Sequence, residues 1–247
     1  MPLDHATVDL NAKVADLNAR MRHHSATDVL RAAVAEVPDL VLVSSFGAES
    51  VALLHLASMV ERNLPVLFID TEMLFAETLV YQQELTERLG LRDVRLLRAA
   101  DLAEKDPLND LHQRDTDACC ALRKTVPLNA ALRDVGGWIT GRKRFQSGTR
   151  AALEHFEVET PAGAPARIKV NPLAYWNASD IGDYIAENRL PRHPLVARGY
   201  PSIGCAPCTS PVAEGEDPRS GRWRNTQKDE CGIHFVDGKM VRTGGTI

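Results

Sequence analysis

Five cysteines carry the widest chemistry in this chain, because thiolates both bind metals and act as nucleophiles. Cys119 and Cys120 are adjacent, Cys205 and Cys208 form a Cys-x-x-Cys motif, and Cys231 has no close cysteine neighbour. Two pairs and one single residue predict a four-thiolate metal site together with one thiol that is left for other chemistry.

The adjacent pair bears on which metal these thiolates bind. Neighbouring residues of a helix point about 100° apart, which strains the convergence of Cys119 and Cys120 on one zinc ion. A 4Fe-4S cluster presents separate iron corners, so each cysteine of the pair can take one. The spacing favours an iron–sulfur cluster and leaves zinc and unconnected buried cysteines open as alternatives.

The single thiol lies in a basic segment. Lys228 precedes Cys231, His234 follows it, and three arginines lie upstream. Positive neighbours lower the pKa of a thiol and favour its nucleophilic thiolate form. We expect Cys231 to carry out the chemistry, with an incidental thiol as the alternative.

The elements that must position these residues alternate between short apolar runs and helical periods. Four apolar runs predict buried strands, at 40–43, 65–70, 94–97 and 137–140. Helical periods at 51–60, 75–89 and 117–132 lie between them, the last with a kink or break at Pro127. This βαβ alternation predicts a Rossmann-like α/β fold, an open and mostly parallel sheet flanked by helices. Amphipathic helices at 10–37 and a hairpin of 156–159 with 166–170 complete it.

Polar residues follow three of the predicted strands, at the edge where open α/β sheets bind ligands. Ser44–Ser50 leads into a helix N-terminus, which attracts anions. Asp70 ends the second strand, and the basic loop 141–147 follows 137–140, with Arg150 beyond it. We expect a phosphate site here. A plain strand–helix turn and a solvated charged loop are the alternatives.

Composition limits the class of protein. The 247 residues are 44% hydrophobic with a net charge of −4, which fits one globular domain, alone or with an appendage, and gives no basic face for a nucleic acid. No apolar run approaches the length of a membrane helix and no secretory signal is apparent, so a cytoplasmic protein with reduced thiols is expected.

The chain turns polar near residue 200. We therefore expect a nucleotide-binding domain of 1–208 that carries the metal site and a mobile catalytic tail of 209–247.

In combination, these motifs resemble those of the assimilatory adenylyl-sulfate reductases, iron–sulfur enzymes related to the phosphoadenylyl-sulfate reductases. The resemblance covers nearly the whole chain. Seven segments carry it: 45–50, 69–72, 119–124, 140–144, 172–176, 205–208 and 230–234. Its most specific part is the combination of the paired cysteines with Glu230–His234.

The resemblance implies an adenine nucleotide alpha hydrolase-like fold that binds adenosine 5′-phosphosulfate. It implies one 4Fe-4S cluster per subunit, held by Cys119, Cys120, Cys205 and Cys208. The substrate contacts that it implies are Ser44, Ser45, Gly47, Ser50, Asp70, Arg123, Lys124, Arg142, Arg144, Arg150, Arg219, Arg222 and His234. Among them, Lys124 is expected between the cluster and the phosphosulfate, and Arg219 and Arg222 are expected to clamp the sulfate.

The resemblance also implies a reaction. The thiolate of Cys231 attacks the sulfate sulfur, AMP leaves, and thioredoxin or glutaredoxin releases sulfite from the S-sulfocysteine, a step of sulfate assimilation and cysteine biosynthesis. The protein thiols carry the electrons, so the cluster need not change oxidation state. No nucleic acid or membrane partner is expected, and the N-terminal helices fit a homo-oligomer as well as a monomer.

Three alternatives to this function remain. A reductase of the same kind could act on 3′-phosphoadenosine 5′-phosphosulfate. An ATP pyrophosphatase-type adenylating enzyme would use the serine turn for pyrophosphate but leave Cys231 with little to do. An iron–sulfur redox sensor would explain the cysteines but not the nucleotide-binding sheet.

Overall fold

Six strands form one sheet in the part of the chain that the structure describes, residues 5–146 and 150–224 of a computed structural model. The strands are β1 (Leu40–Ser44), β2 (Val66–Ile69), β3 (Val94–Leu97), β4 (Gly137–Ile139), β5 (Phe156–Glu159) and β6 (Arg167–Val170). Their order is β3-β2-β1-β4-β6-β5, and neighbours are parallel except β5 with β6. The structure confirms the α/β class and the mostly parallel open sheet.

Helices fill the connections between the strands. The α-helices are α1 (His5–Met21), α2 (Ala26–Glu36), α3 (Ser50–Val60), α4 (Ala76–Leu89), α5 (Leu102–Lys105), α6 (Leu111–Arg114), α7 (Thr116–Cys120), α8 (Val126–Ala131) and α9 (Ala178–Glu187). A π-helix (Ala121–Thr125) joins α7 to α8. Within the described ranges, no helix has both the length and the apolar character that crossing a membrane requires.

The sheet is covered on both faces, because alternate side chains of each strand point to opposite sides. Leu40 and Leu42 of β1 belong to the large core that α1, α2, α3, α4 and α9 build on one face. Val41, between them, belongs to a smaller core with Trp138 and the α8 residue Leu128 on the other face. Burial on both faces explains why the strands are nearly continuous apolar runs.

The chain reverses its direction of travel across the sheet at β1. It runs from β1 to β2 and β3 on one side and then returns to β4 on the other side. The loops that follow β1 and β4 therefore diverge, which opens a crevice at the carboxyl ends of these two strands. This switch point is where the sequence predicted the phosphate site.

A π-helical turn replaces the kink or break predicted at Pro127. The backbone N–H of Val126 bonds to the carbonyl of Ala121, five residues earlier. Proline has no N–H to donate, and in an α-helix its ring meets the carbonyl four residues before it, here that of Arg123. One wider turn relieves that clash, so the helical run continues through Ala131.

The first part of the segment predicted as a tail is folded in the structure. The N–H of Ser210 donates to the carbonyl of Gly221 at 2.9 Å, and that of Trp223 donates to the carbonyl of Cys208 at 3.0 Å. Residues 209–224 thus turn back onto the Cys-x-x-Cys segment. The rest of the expected tail, 225–247, lies outside the described residues, and the division at residue 208 stays a prediction.

Candidate active site

A cavity of about 520 Å³ lies at the switch point, between the ends of β1 and β4. Its walls also include the start of α3, the π-helix and the loops 201–205 and 217–223. Nine of the predicted substrate contacts line this cavity, together with the predicted metal ligand Cys205: Ser44, Ser45, Gly47, Ser50, Lys124, Arg142, Arg150, Arg219 and Arg222. Segments far apart in sequence therefore meet in one place.

The turn Ser44–Ser50 is shaped by two of its own serines. Ser44 Oγ accepts the N–H of Phe46 at 3.1 Å, and Ser50 Oγ accepts the N–H of Gly47 at 3.0 Å. Phe46 has a φ of 48°, and its buried ring meets that of Phe68 edge to face. The N-terminus of α3 lines the cavity and has no side-chain cap. The positive end of the helix dipole therefore faces the cavity. This wall is suited to an anion.

A lysine of the basic loop 141–147 faces this turn. Lys143 Nζ lies 2.5 Å from a carboxylate oxygen of Glu49, and both residues line the cavity. Burial lowers the pKa of Lys143, while the charge of Glu49 opposes that shift. Lys143 stands inside the basic loop that the sequence did identify. Its burial and its pairing with Glu49 arise only when the ends of β1 and β4 meet.

Further cations of the wall are held by polar partners. The guanidinium of Arg142 donates to Asn171 Oδ1 at 3.0 Å and pairs with Glu157, which fixes it against β5 and the end of β6. Arg150 donates to Gln146 Oε1. With Lys143, these side chains give the β4 side of the cavity a positive wall.

Three predicted contacts lie outside the cavity lining and have other partners. Asp70 accepts from Arg98 at 2.8 Å and from the N–H of Glu72, so it shapes the turn after β2. Arg123 is buried and donates to Asp106, to Asn109 and to the carbonyl of Thr71. Contact of Asp70 and Arg123 with a ligand stays a prediction.

Arg144 is the third of these residues. Its Nε donates to the carbonyl of Leu153 at 2.7 Å, and its guanidinium lies 3.9 Å from the centre of the Tyr175 ring. These contacts hold it on the outer side of the 3₁₀ turn Arg144–Gln146. The remaining predicted residues, Cys231 and His234, lie outside the residues that the structure describes.

Three of the four predicted metal ligands gather beside the cavity. Cys119, Cys205 and Cys208 pack together with Met73 and Leu111. Burial raises the pKa of Cys119, and the neighbouring charges of Cys205 and Cys208 add to the rise, whereas the charge of Arg123 lowers it. Cys120 is also buried, and none of the four is in a disulfide.

The Cys-x-x-Cys segment is fixed to the end of β2. The N–H of Ala206 donates to the carbonyl of Met73 at 2.7 Å, and Cys205 Sγ lies 3.2 Å from the hydroxyl of Thr71. Thr71 also lines the cavity. Cys205 lines the cavity as well, so the cysteines and the anion wall meet at this point. Thr71 lies in the segment 69–72, which is one of the seven that carry the family resemblance.

The surroundings of the four cysteines bear on what they could bind. Within residues 5–146 and 150–224, no three Cys, His, Asp or Glu side chains converge closely enough to hold one metal ion. Two buried side-chain nitrogens nearby, Arg123 Nε and His112 Nδ1, have no hydrogen-bond partner there. Arg123 Nε is always a donor, and His112 Nδ1 is a donor in the tautomer whose Nε2 accepts from Gln113 Nε2. Buried donors of this kind indicate a missing acceptor.

Apolar residues of the cavity were also missed by the sequence analysis. Trp138 and Leu53 line its depth, Phe145 its outer part, and Ile203 the opposite loop. Each looks like an ordinary core or surface residue in the sequence. Only the topology of the sheet brings them to one wall.

Comparison with known proteins gives concordant matches. A family described as "Phosphoadenosine phosphosulfate reductase domain" matches residues 39–211. A protein of Mesorhizobium japonicum named adenosine 5′-phosphosulfate reductase is 46% identical over 253 residues, covering 100% of this chain and 98% of that protein. A protein of the same name from Chelativorans sp. is 44% identical, covering 92% and 93%. The crystal structure of phosphoadenylyl-sulfate reductase from Candida auris, in complex with phosphate, matches with a TM-score of 0.70 at 27% identity, covering 86% of this chain and 99% of that one.

The sheet order, the crevice at its switch point and the structural match define an α/β protein of the adenine nucleotide alpha hydrolase-like class. Within that class, this chain belongs to the phosphoadenosine phosphosulfate reductase domain family. The family that the motifs resembled is thereby confirmed.

Proposed function

We propose that this protein reduces adenosine 5′-phosphosulfate to sulfite and AMP, with Cys231 as the nucleophile. The observation that carries the proposal is the cavity itself, where Lys124, Arg219 and Arg222 face the serine turn beside the gathered cysteines. Relatives that match nearly the whole chain bear the name of this activity. The proposal assigns each wall of the cavity a part in binding.

The nucleotide phosphate lies against the turn Ser44–Ser50 and the start of α3. Backbone N–H groups and the helix dipole favour a negative charge there. Lys143 and Arg150 add cations on the facing wall. The apolar side chains at depth, among them Leu53, offer a surface for the adenosine.

The sulfate lies toward Lys124, Arg219 and Arg222. The thiolate of Cys231 attacks the sulfate sulfur, a sulfur–sulfur bond forms, and the bond from sulfur to the bridging oxygen breaks. AMP leaves with that oxygen and its electron pair. Cations at this end offset charge that develops on the sulfonate and the departing phosphate.

A dithiol protein of the thioredoxin or glutaredoxin type completes the cycle. One of its thiolates attacks Cys231 Sγ of the S-sulfocysteine and expels sulfite, which leaves a mixed disulfide. Its second thiol then resolves the mixed disulfide and restores the Cys231 thiol. Two electrons pass from the dithiol to the sulfur that leaves as sulfite.

Cys119, Cys120, Cys205 and Cys208 hold a 4Fe-4S cluster in this proposal. Three of these cysteines pack in one cluster, and the adjacent pair Cys119 and Cys120 suits the separate iron corners of such a group better than one zinc ion. The buried N–H groups of Arg123 and His112 would find acceptors in its sulfurs. When bound, such a cluster adds its charge to the electrostatics of the site and links the α7 segment to the loop 205–208.

The covalent step is tested first. Purified protein is incubated anaerobically with adenosine 5′-phosphosulfate without reductant, and its intact mass is measured. A gain of about 80 Da, one SO₃, is expected on the wild-type protein and not on Cys231→Ser. Peptide mapping should locate the adduct in the segment 229–234.

Two results would count against this assignment. An adduct that persists in Cys231→Ser places the nucleophile elsewhere. No adduct with adenosine 5′-phosphosulfate, but one with the 3′-phosphorylated nucleotide, changes the substrate. Later addition of a reduced dithiol protein should release stoichiometric sulfite and restore the original mass.

The cluster is tested separately by iron and sulfide content. Anaerobically isolated protein should hold about four irons and four sulfides per chain. Substitution of Cys119 or Cys205 by serine should lower both contents, whereas Cys231→Ser should leave them unchanged. One zinc and no iron would overturn the cluster assignment without touching the role of Cys231.

A further inference from the structure

Gly204 lies directly before the Cys-x-x-Cys segment and lines the cavity. A Cβ built on it would overlap Nη2 and Cζ of Arg222 and come within 3.1 Å of its Nε. Gly204 is not among the four described glycines with a positive φ, which are Gly90, Gly163, Gly199 and Gly215. The backbone therefore does not require glycine at 204, whereas the guanidinium of Arg222 does.

Arg222 is held in place from several directions. It forms a β-bridge with Thr209, and its Nη1 donates to the carbonyl of Ile203 at 3.3 Å. The guanidinium lies 4.5 Å from the centre of the Trp223 ring. These contacts fix the backbone of Arg222 and the plane of its guanidinium. Because residue 204 has no side chain, the guanidinium can pack directly against the backbone of the loop 203–204.

We propose that Gly204 is a positioning residue that seats the guanidinium of Arg222 against the cavity wall, where it meets the anionic group of the substrate. This inference rests on the proposed function. An alanine at 204 would push the guanidinium away by more than 1 Å, because its Nη2 would lie 2.2 Å from the new Cβ and ordinary contact begins at 3.4 Å. A misplacement of about 1 Å can cost about two orders of magnitude in rate.

A side chain added at Gly204 should affect activity without disturbing the fold. The atoms that a Cβ at 204 meets belong to the far end of a flexible side chain, which can move aside. At Gly221, by contrast, a Cβ would overlap the backbone carbonyl of Ser210. Gly204→Ala should therefore keep the fold, whereas Gly221→Ala should damage the turn of 209–224.

The test is steady-state kinetics with adenosine 5′-phosphosulfate and a reduced dithiol protein. Gly204→Ala should lower kcat/KM by about 10- to 100-fold, with a melting temperature close to that of the wild type. The matched control is Gly182→Ala in α9, where an added Cβ meets nothing within 4 Å; it should leave kcat/KM unchanged. Wild-type kinetics for Gly204→Ala would overturn the proposal.

A double-mutant cycle distinguishes positioning from a general effect on the loop. Arg222→Lys removes the planar guanidinium that needs the space over Gly204. In that background, Gly204→Ala should cost less than about twofold, since no guanidinium remains to displace. Equal costs in both backgrounds would overturn the inference while leaving the reductase activity established. A wild-type protein without turnover would instead overturn the proposed function, and this inference with it.

Discussion

At the scale of single residues, the cations of this chain differ in what holds them. Arg123 and Arg144 have partners outside the cavity, whereas Lys143 is buried on its wall beside Glu49. The sequence predicted that the basic segments and the turn Ser44–Ser50 lie at one sheet edge, and the structure brings them to one cavity. It could not rank the cations, because their partners come from loops that are distant along the chain.

Arg123→Met should lower the free energy of unfolding by up to about 3–5 kcal/mol, because it removes the nearer counter-charge of the buried Asp106 carboxylate and leaves only Arg114, at 4.0 Å. Arg123 holds the pKa of Asp106 below its usual value, and both side chains are buried. Urea denaturation at neutral pH measures the change. The control, Arg31→Met, removes an exposed pair with Asp28 and should change the free energy of unfolding far less, because solvent screens that pair. Equal losses would show that the buried pair has no special weight.

Glu49→Gln should move the pH dependence of AMP binding. Burial lowers the pKa of Lys143 and the charge of Glu49 raises it, so removing that charge lowers the pKa further. The ammonium that attracts phosphate is then lost at a lower pH. When AMP affinity is measured from neutral to alkaline pH, the affinity should begin to fall at a lower pH in Glu49→Gln than in the wild type. Glu216→Gln, which removes a surface partner of Arg224, should leave the profile in place.

At the scale of elements, apolar period predicted most of the structure correctly. The strands and the helices α3 and α4 lie where their hydrophobic patterns predicted them, because the residues that pack in or against the sheet must be apolar. The π-helix (121–125) and the turn of 209–224 could not be predicted in this way. Their hydrogen bonds depend on Pro127 and on the Cys-x-x-Cys segment, both visible in the sequence, but the spacing of apolar residues does not say which turn each of them makes.

His193 joins α4 to the 3₁₀ turn Pro194–Arg198 and should make stability depend on pH. Its Nε2 lies 3.0 Å from the hydroxyl of Thr78, and its Nδ1 accepts the N–H of Leu195. Burial lowers the pKa of His193 from 6.5 to about 4, against a small opposing effect of Glu77. The unfolded chain then binds a proton that the folded chain does not, so stability falls as the pH drops through that window.

The slope attributable to His193 should approach but not exceed about 1.4 kcal/mol per pH unit. Urea denaturation at several pH values in this window measures it. His193→Gln should be less stable overall but have a shallower slope, whereas His24→Gln, at an exposed position, should keep the wild-type slope. An unchanged slope in His193→Gln would assign the pH dependence to other groups.

At the scale of the whole molecule, the cavity joins segments from both halves of the sheet, so a ligand there should stabilise all of it. AMP at about 100 times its Kd should add about 2.7 kcal/mol and raise the melting temperature by about 5–10 °C. Lys143→Met should reduce this shift strongly. Arg144→Ala should retain it, since Arg144 does not line the cavity. Equal shifts in the two variants would show that the phosphate does not lie by Lys143.

The side chain of Asn18 has a consequence for association between copies of the chain. Its amide donates to the carbonyl of Phe156 at 2.8 Å and accepts the N–H of the same residue at 2.9 Å, as a further strand would. This blocks strand addition beside Phe156 on β5. At the opposite margin, β3 pairs only with β2 among the described strands, and Asp93 and Arg95 place an ion pair there. Of the two edges, β3 is therefore the one open to pairing with another copy of the chain, and the charges of Asp93 and Arg95 oppose that pairing.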